Sequence, residues 1–279
     1  MRVVLVLLVG CAPAVGSEPA TLWIADPGAG VVFRDDAVGR SVVVDAGVSG
    51  ARPGFDPSAL VVDDRGHLLV ADFANHTVSR YDDGALALLF ENPSDPDATR
   101  IEEPCGLLAG PGTVAVLAND TENIAFLDDG GAVLSELGPE SLLRNAHGFA
   151  VLPDGYLVVV GSADGPGDPV VRTWDPLDGR RVGSFAPWPE LEEPTDVVVL
   201  ADGTLAITDW GTGRVLRYDP TTGAQLDVLA EGLSHPVALA AQPSGVVLVL
   251  ADDGVWTTTG ERVVDGAGFV FPRDLVVTW

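Results

Sequence analysis

Lysine is absent from this chain of 279 residues: all 15 basic residues are arginine, against 41 aspartates and glutamates, for a formal charge of −26. A surface with that balance repels nucleic-acid phosphates and anionic lipid headgroups, which excludes polyanion binding as a function. The acidity reads as a solvated surface, as adaptation to salt, or as a collecting field for cations. Cysteine is nearly missing too. Cys11 and Cys105 alone make neither a disulfide framework nor a cysteine cluster for a metal, so stability must come from packing. Aromatics are only 6% of the residues, and valine and leucine dominate an apolar fraction of 47%, a bias toward strands buried on both faces. After the N-terminus no apolar run approaches the roughly 20 residues that a membrane-spanning helix needs.

What the chain does contain is a repeat. In residues 56–84, two β-rich apolar runs flank Asp63-Asp64-Arg65-Gly66, a third follows Asp72-Phe73-Ala74-Asn75-His76, and Asp82-Asp83-Gly84 closes the unit. This reads as strand, turn, strand, loop, strand, turn. Degraded copies begin at 104, 146, 194 and 236, and the spacing of about 36 to 48 residues fits propeller blades of four strands each. The copy at 194–219 is the most faithful, and residues 139–145 suggest one turn of helix between two units.

The first copy, residues 21–45, lacks its first strand, while residues 272–279 are a first strand with nothing after it. Together they complete one unit. The predicted architecture is therefore an all-β, six-bladed β-propeller over residues 21–279, closed by the C-terminal strand joining the N-terminal blade.

The N-terminus reads as an address. Leu8-Val9-Gly10-Cys11 follows an apolar run and resembles the bacterial lipobox, which implies cleavage before Cys11 and lipidation of its thiol. Residues 1–20 would then be a signal peptide and short tether, and the domain an exported, lipid-anchored protein of the bacterial cell envelope. An ordinary signal cleaved near Ala20, giving a secreted or periplasmic protein, is the alternative, as is a Cys11–Cys105 bridge. Membrane contact is expected only through the anchor, and the domain is expected as a monomer.

The pattern Pro-x-x-apolar, Asp-Gly turn, Val-Ala-Asp, Asn-His-x-Val and Arg-Tyr-Asp, best carried by residues 57–82, resembles the NHL-repeat β-propellers. The resemblance implies the fold and leaves function open, since such propellers serve as binding platforms and as enzymes. In this fold the entry to each first strand and the loop between second and third strands open on one face around the channel. At the entries stand Ser58, Cys105, His147, Thr195, Val237 and Arg273, followed by Ala59, Gly106, Gly148, Asp196, Ala238 and Asp274.

Asp26, Asp72 and Asp209 share one repeat position and are read as structural acceptors of backbone N–H groups. Phe73 and Trp210 are read as ligand-stacking rings or as caps between blades. His147, Asp196 and Asp274 break the repeat, and as oxygen and imidazole ligands they are a candidate site for a divalent cation such as calcium. The competing expectation pairs Arg273 with Asp196. Cys105 as a nucleophile has only His147 as an obvious base.

Residues 147–155 resemble the Asn-Gly motif of calcium-dependent six-bladed lactonases with His147 in place of Asn; Asp196 lies one position later than their Asp, and no Glu counterpart is evident. Peptidylglycine-type lyases on NHL propellers imply several zinc-bound histidines, and His67, His76, His147 and His235 do not complete that set. The expected function is a module binding a protein, peptide or glycan through the channel face, at His147, Asp196, Asp274, Arg273, Trp210 and Phe73. The alternative is a metal-dependent hydrolase or lyase using Asp196, Asp274 and His147.

Overall fold

A computed structural model describes residues 21–95, 98–138, 145–162, 169–176, 180–184, 188, 190–242 and 244–278. Cys11, the rest of the expected leader and tether, and the helical turn expected over 139–145, Asn145 apart, lie outside the described residues.

The chain opens with β1 (Thr21–Asp26), β2 (Val31–Asp36) and β3 (Gly39–Val44). The second blade is β4 (Pro57–Val62), β5 (Leu68–Asp72), β6 (Thr77–Asp82) and β7 (Ala85–Glu91). The third is β8 (Pro104–Gly110), β9 (Thr113–Ala118), β10 (Asn123–Asp128) and β11 (Val133–Leu137). The fourth is β12 (Ala146–Val151), β13 (Leu157–Ser162), β14 (Pro169–Trp174) and β15 (Arg181–Ser184). The fifth is β16 (Pro194–Val199), β17 (Leu205–Asp209), β18 (Arg214–Tyr218) and β19 (Gln225–Ala230). The sixth is β20 (Ala238–Ala241), β21 (Val247–Ala251), β22 (Gly254–Thr257) and β23 (Arg262–Asp265), and β24 (Asp274–Thr278) ends the chain.

Among the described residues these strands form six four-stranded antiparallel sheets, a six-bladed β-propeller, and β24 is the inner strand of the first blade in the order β24-β1-β2-β3. Leu22 lies opposite Val277 and Ile24 opposite Leu275. The split blade read from the two ends of the chain is thus the closure of the ring. The fourth strand of the sixth blade is the short, mostly exposed β23.

The Asp-Gly turns work by local chemistry. The Asp63 carboxylate accepts the backbone N–H of Arg65 and His67, and Gly66, at φ 86°, takes the left-handed position that a side chain would resist. Gly203 repeats this at φ 83°.

Among the described residues the core consists of six apolar layers, one at each junction between adjacent blades. Leu69 and Val78 of the second blade pack with Val116 and Leu127 of the third, and Val158 and Val160 of the fourth with Ile207 and Leu216 of the fifth. A strand near the axis has a neighbouring blade on each face, so β5, β17 and β21 are buried at every residue. That geometry explains their unbroken apolar runs. The outer β11 is mainly exposed, and the outer β19 has no buried residue.

Each fully buried leucine or valine contributes roughly 1.5–3 kcal/mol, and β24 brings Leu275 into the junction of the sixth and first blades. Removing residues 275–279 should therefore abolish the single cooperative unfolding transition in calorimetry. A truncated chain that melts like the intact one would contradict this closure.

Candidate binding site at the channel mouth

The first strands of four blades carry the same irregularity one residue after their start, between Pro57 and Ala59, Pro104 and Gly106, Ala146 and Gly148, and Pro194 and Asp196. A bulge of this kind re-aims the intervening side chain. It places Ser58, Cys105, His147 and Thr195 in one ring, which Val237 and Arg273 complete from the other two blades.

Three of these six tie their blade to the next. Ser58 Oγ donates to the carbonyl of Pro104 at 2.5 Å, Cys105 Sγ to that of Ala146 at 3.4 Å, and Thr195 Oγ1 to that of Pro236 at 3.0 Å. Val237 packs in the apolar layer against the first blade. His147 and Arg273 depart from the rule: among the described residues neither side chain has a hydrogen-bond or ion-pair partner. The Arg273 guanidinium lies over the Phe271 ring, 4.9 Å from its centroid.

Below this ring Asp196 and Asp274 act as clasps. Asp196 accepts the N–H of Val197 at 2.8 Å and, across the blade boundary, that of Leu239 at 2.7 Å. Asp274 accepts the N–H of Leu275 at 2.7 Å and that of Leu60 in the second blade at 2.6 Å. Gly148 is required beside Asp196, because a Cβ there would stand 2.6 Å from the carboxylate. The expected Arg273–Asp196 pair does not form; backbone N–H groups already occupy both carboxylate oxygens.

These side chains keep some contact with channel solvent, yet protein surrounds them, and desolvation dominates their titration. Burial, reinforced by the charge of Asp274, pushes Asp196 up to about 8, and burial pushes Asp274 up to about 6. Burial and then the nearby Arg273 charge pull His147 down to about 4, so its imidazole is neutral at neutral pH. Burial pushes the Cys105 thiol up to about 12. Cys105 is accordingly a thiol donor and not the nucleophile weighed from sequence.

His147, Asp196, Arg273, Asp274 and Cys105 all line one cavity of about 290 Å³ on the axis, to which all six blades contribute. Among the described residues no three His, Cys, Asp or Glu side chains gather into a metal-ligand set, although Asp196, Asp274 and His147 share this cavity. Phe73 and Trp210 are not part of its lining. Trp210 stacks on His235 with centroids 4.3 Å apart, and His235 Nδ1 lies 2.7 Å from Asp252. Phe73 is half-buried, its N–H donated to the carbonyl of Asp56 at 2.9 Å.

Asp26, Asp72 and Asp209 have the structural duty read from their recurrence, and more. Asp209 accepts the N–H of Gly211 in the following loop and those of Glu192 and Glu193 in the segment entering the blade. Asp72 accepts from Asn75 and Asp56 in the same way, and Asp26 from Ala29, Val270 and Phe271. In the first, second and fifth blades one carboxylate thus fastens two loops of the channel face. Phe271, the ring beneath Arg273, had no place among the sequence candidates; its only signal was an aromatic residue two positions before the arginine.

Residues 56–81 match the family model described as NHL repeat. No curated protein matches the chain. Among solved structures it is similar to a chain of the nidogen/laminin complex, with TM-score 0.71 and 16% identity over 93% of this chain and 98% of that one. It is also similar to a catalytically inactive virginiamycin B lyase from Staphylococcus aureus with quinupristin, with TM-score 0.62 and 15% identity over 85% of this chain and 75% of that one. The WD40 β-propeller domain of Doa1 gives TM-score 0.63 and 12% identity over 87% and 76% of the two chains. At such identities the likeness establishes the fold alone.

The raised value of Asp196 has a consequence for stability. A carboxyl whose folded value lies above its unfolded value of about 4 favours the folded state at low pH, and that contribution is lost as pH rises through the folded value. For Asp196 the window runs from about 4 to about 8. Asp196→Asn, uncharged throughout, should therefore gain on the wild type by roughly 5 °C or more in Tm between about pH 5 and 9. A Tm difference that stays constant with pH would contradict the assignment.

Proposed function

We propose that this six-bladed β-propeller is a non-catalytic interaction module that takes a protein, peptide or glycan ligand at the mouth of its channel. The observation that carries the reading is the axial cavity of about 290 Å³, lined from all six blades and holding two polar side chains, His147 and Arg273, without partners among the described residues. A cavity at the low end of the roughly 300–1,000 Å³ usual for ligand sites admits one residue or one sugar ring. The remainder of the ligand lies across the surrounding loops. One fold neighbour, a chain of the nidogen/laminin complex, supports the reading by analogy. The propeller works as an exported monomer, anchored by a lipid on Cys11 after loss of the residues before it.

Metal-dependent hydrolysis or elimination through Asp196, Asp274 and His147 is the second reading. It is favoured by these three side chains lining one cavity, where a carboxyl such as Asp196 would have to shed its proton to take a metal. Each oxygen of that carboxyl already accepts a backbone N–H, which sets it in the frame of the ring.

A panel of short peptides and oligosaccharides, screened by NMR against the full chain, separates these readings. Binding should move the resonances of His147 and Arg273 and leave those of the outer strands β7, β11, β19 and β23 in place. Binding confined to the outer strands would overturn the module reading. Turnover of a panel member that disappears in Asp196→Asn would transfer the assignment to the enzyme.

A further inference from the structure

The ring of first-strand residues carries a second level of information. Ser58, Cys105 and Thr195 each bond to the next blade, and Val237 packs against it. Only His147 and Arg273 leave their polar atoms open to the channel among the described residues. The blades contact one another in the circular order β24, β4, β8, β12, β16, β20. His147, on β12, and Arg273, at the entry to β24, are three steps apart in a ring of six and so face each other across the axis.

The arginine is positioned in advance. Its backbone N–H donates to the carbonyl of Ala25 at 2.8 Å, fixing the base of the side chain, and its guanidinium rests on Phe271. Arg273 lines the axial cavity together with Cys105 of the third blade and His147 of the fourth, which places it at the channel mouth, and its charge is felt at Asp56 of the second blade. Asp56 lies within this field without forming an ion pair with it. A planar fork of N–H donors without an acceptor matches a carboxylate, and stacking on an aromatic ring removes part of the ordering cost. The net charge of −26 disfavours multiply charged anions and leaves a single carboxylate as the fitting partner. Asp196, protonated up to about pH 8, removes one repulsive charge from the cavity, whereas Asp274, with a value of about 6, keeps its charge at neutral pH, held by the N–H groups of Leu60 and Leu275.

Resting on the channel mouth as the ligand site, we propose that Arg273 and His147 form a two-point carboxylate site through which a peptide ligand inserts its C-terminus or an acidic side chain. The guanidinium takes the carboxylate in a bidentate pair, and the neutral imidazole offers its N–H from the opposite wall.

The test uses the full chain and three probes: N-acetyl-trialanine with a free carboxylate, the same peptide as its C-terminal amide, and N-acetyl-Ala-Asp-Ala amide. The first or the third should shift the Arg273 Nε–H and His147 imidazole resonances, and which of them does so distinguishes a terminal from a side-chain carboxylate. The trialanine amide should shift neither. Arg273→Gln should weaken the responding probe by about 10-fold or more, whereas Arg217→Gln, which removes a surface pair with Asp202, should change it by less than about twofold. Equal binding of trialanine acid and amide at the channel would overturn the carboxylate site and leave the channel-face reading standing. Channel resonances unmoved by every probe, together with a failed oligosaccharide and peptide panel, would overturn both.

Discussion

The pairing of β24 with β1 is the constraint on which the other features depend. It joins residues more than 250 positions apart, as in Leu22 opposite Val277, and turns a row of six sheets into a ring. The closing segment also builds the candidate site. Asp274 leads into β24 and clasps the N–H of Leu60 in the second blade, Arg273 stands over the channel mouth, and Phe271 supports it. Asp26 fastens this segment by accepting the N–H groups of Val270 and Phe271. Closure and binding chemistry therefore share one short stretch of chain.

Around the axis, regular chemistry and irregular chemistry have different uses. The repeated aspartates Asp26, Asp72 and Asp209, themselves buried, accept loop N–H groups and so fasten the loops to the ends of the strands. Ser58, Cys105 and Thr195 donate to the carbonyls of adjoining blades. Asp196 and Asp274 extend the clasp to strand N–H groups, at the cost of desolvating a carboxylate. The raised values of both acids express that cost. Against this frame His147 and Arg273 stand out because they hold nothing together.

The blade count, the split blade and the structural role of the repeated aspartates were legible in the sequence, because period and recurrence are local properties of the chain. The sixth blade's outer strand was not, since Arg262-Val263-Val264-Asp265 is too short to show alternation. The candidate ring was legible as a set of positions, but its internal division was not. Whether Asp196 meets Arg273 or the N–H of Leu239 depends on how closely adjoining blades approach: Leu239 of the sixth blade reaches the carboxylate from one side, and Gly148 of the fourth leaves room for it on the other. Phe73 and Trp210 sit in loops of the correct face yet outside the cavity. A loop assignment fixes a face; it does not fix a radius.

The division of the ring into clasps and free groups is the central claim, and thermal unfolding of single alanine variants measures it most directly. Ser58→Ala and Thr195→Ala, each losing an inter-blade hydrogen bond worth about 1 kcal/mol, should lower Tm by about 2–4 °C. His147→Ala and Arg273→Ala should stay within about 1–2 °C of the wild type, because neither side chain bonds to a neighbouring blade. Losses at His147 and Arg273 equal to those at Ser58 and Thr195 would show that all four positions serve the scaffold, and would contradict the account.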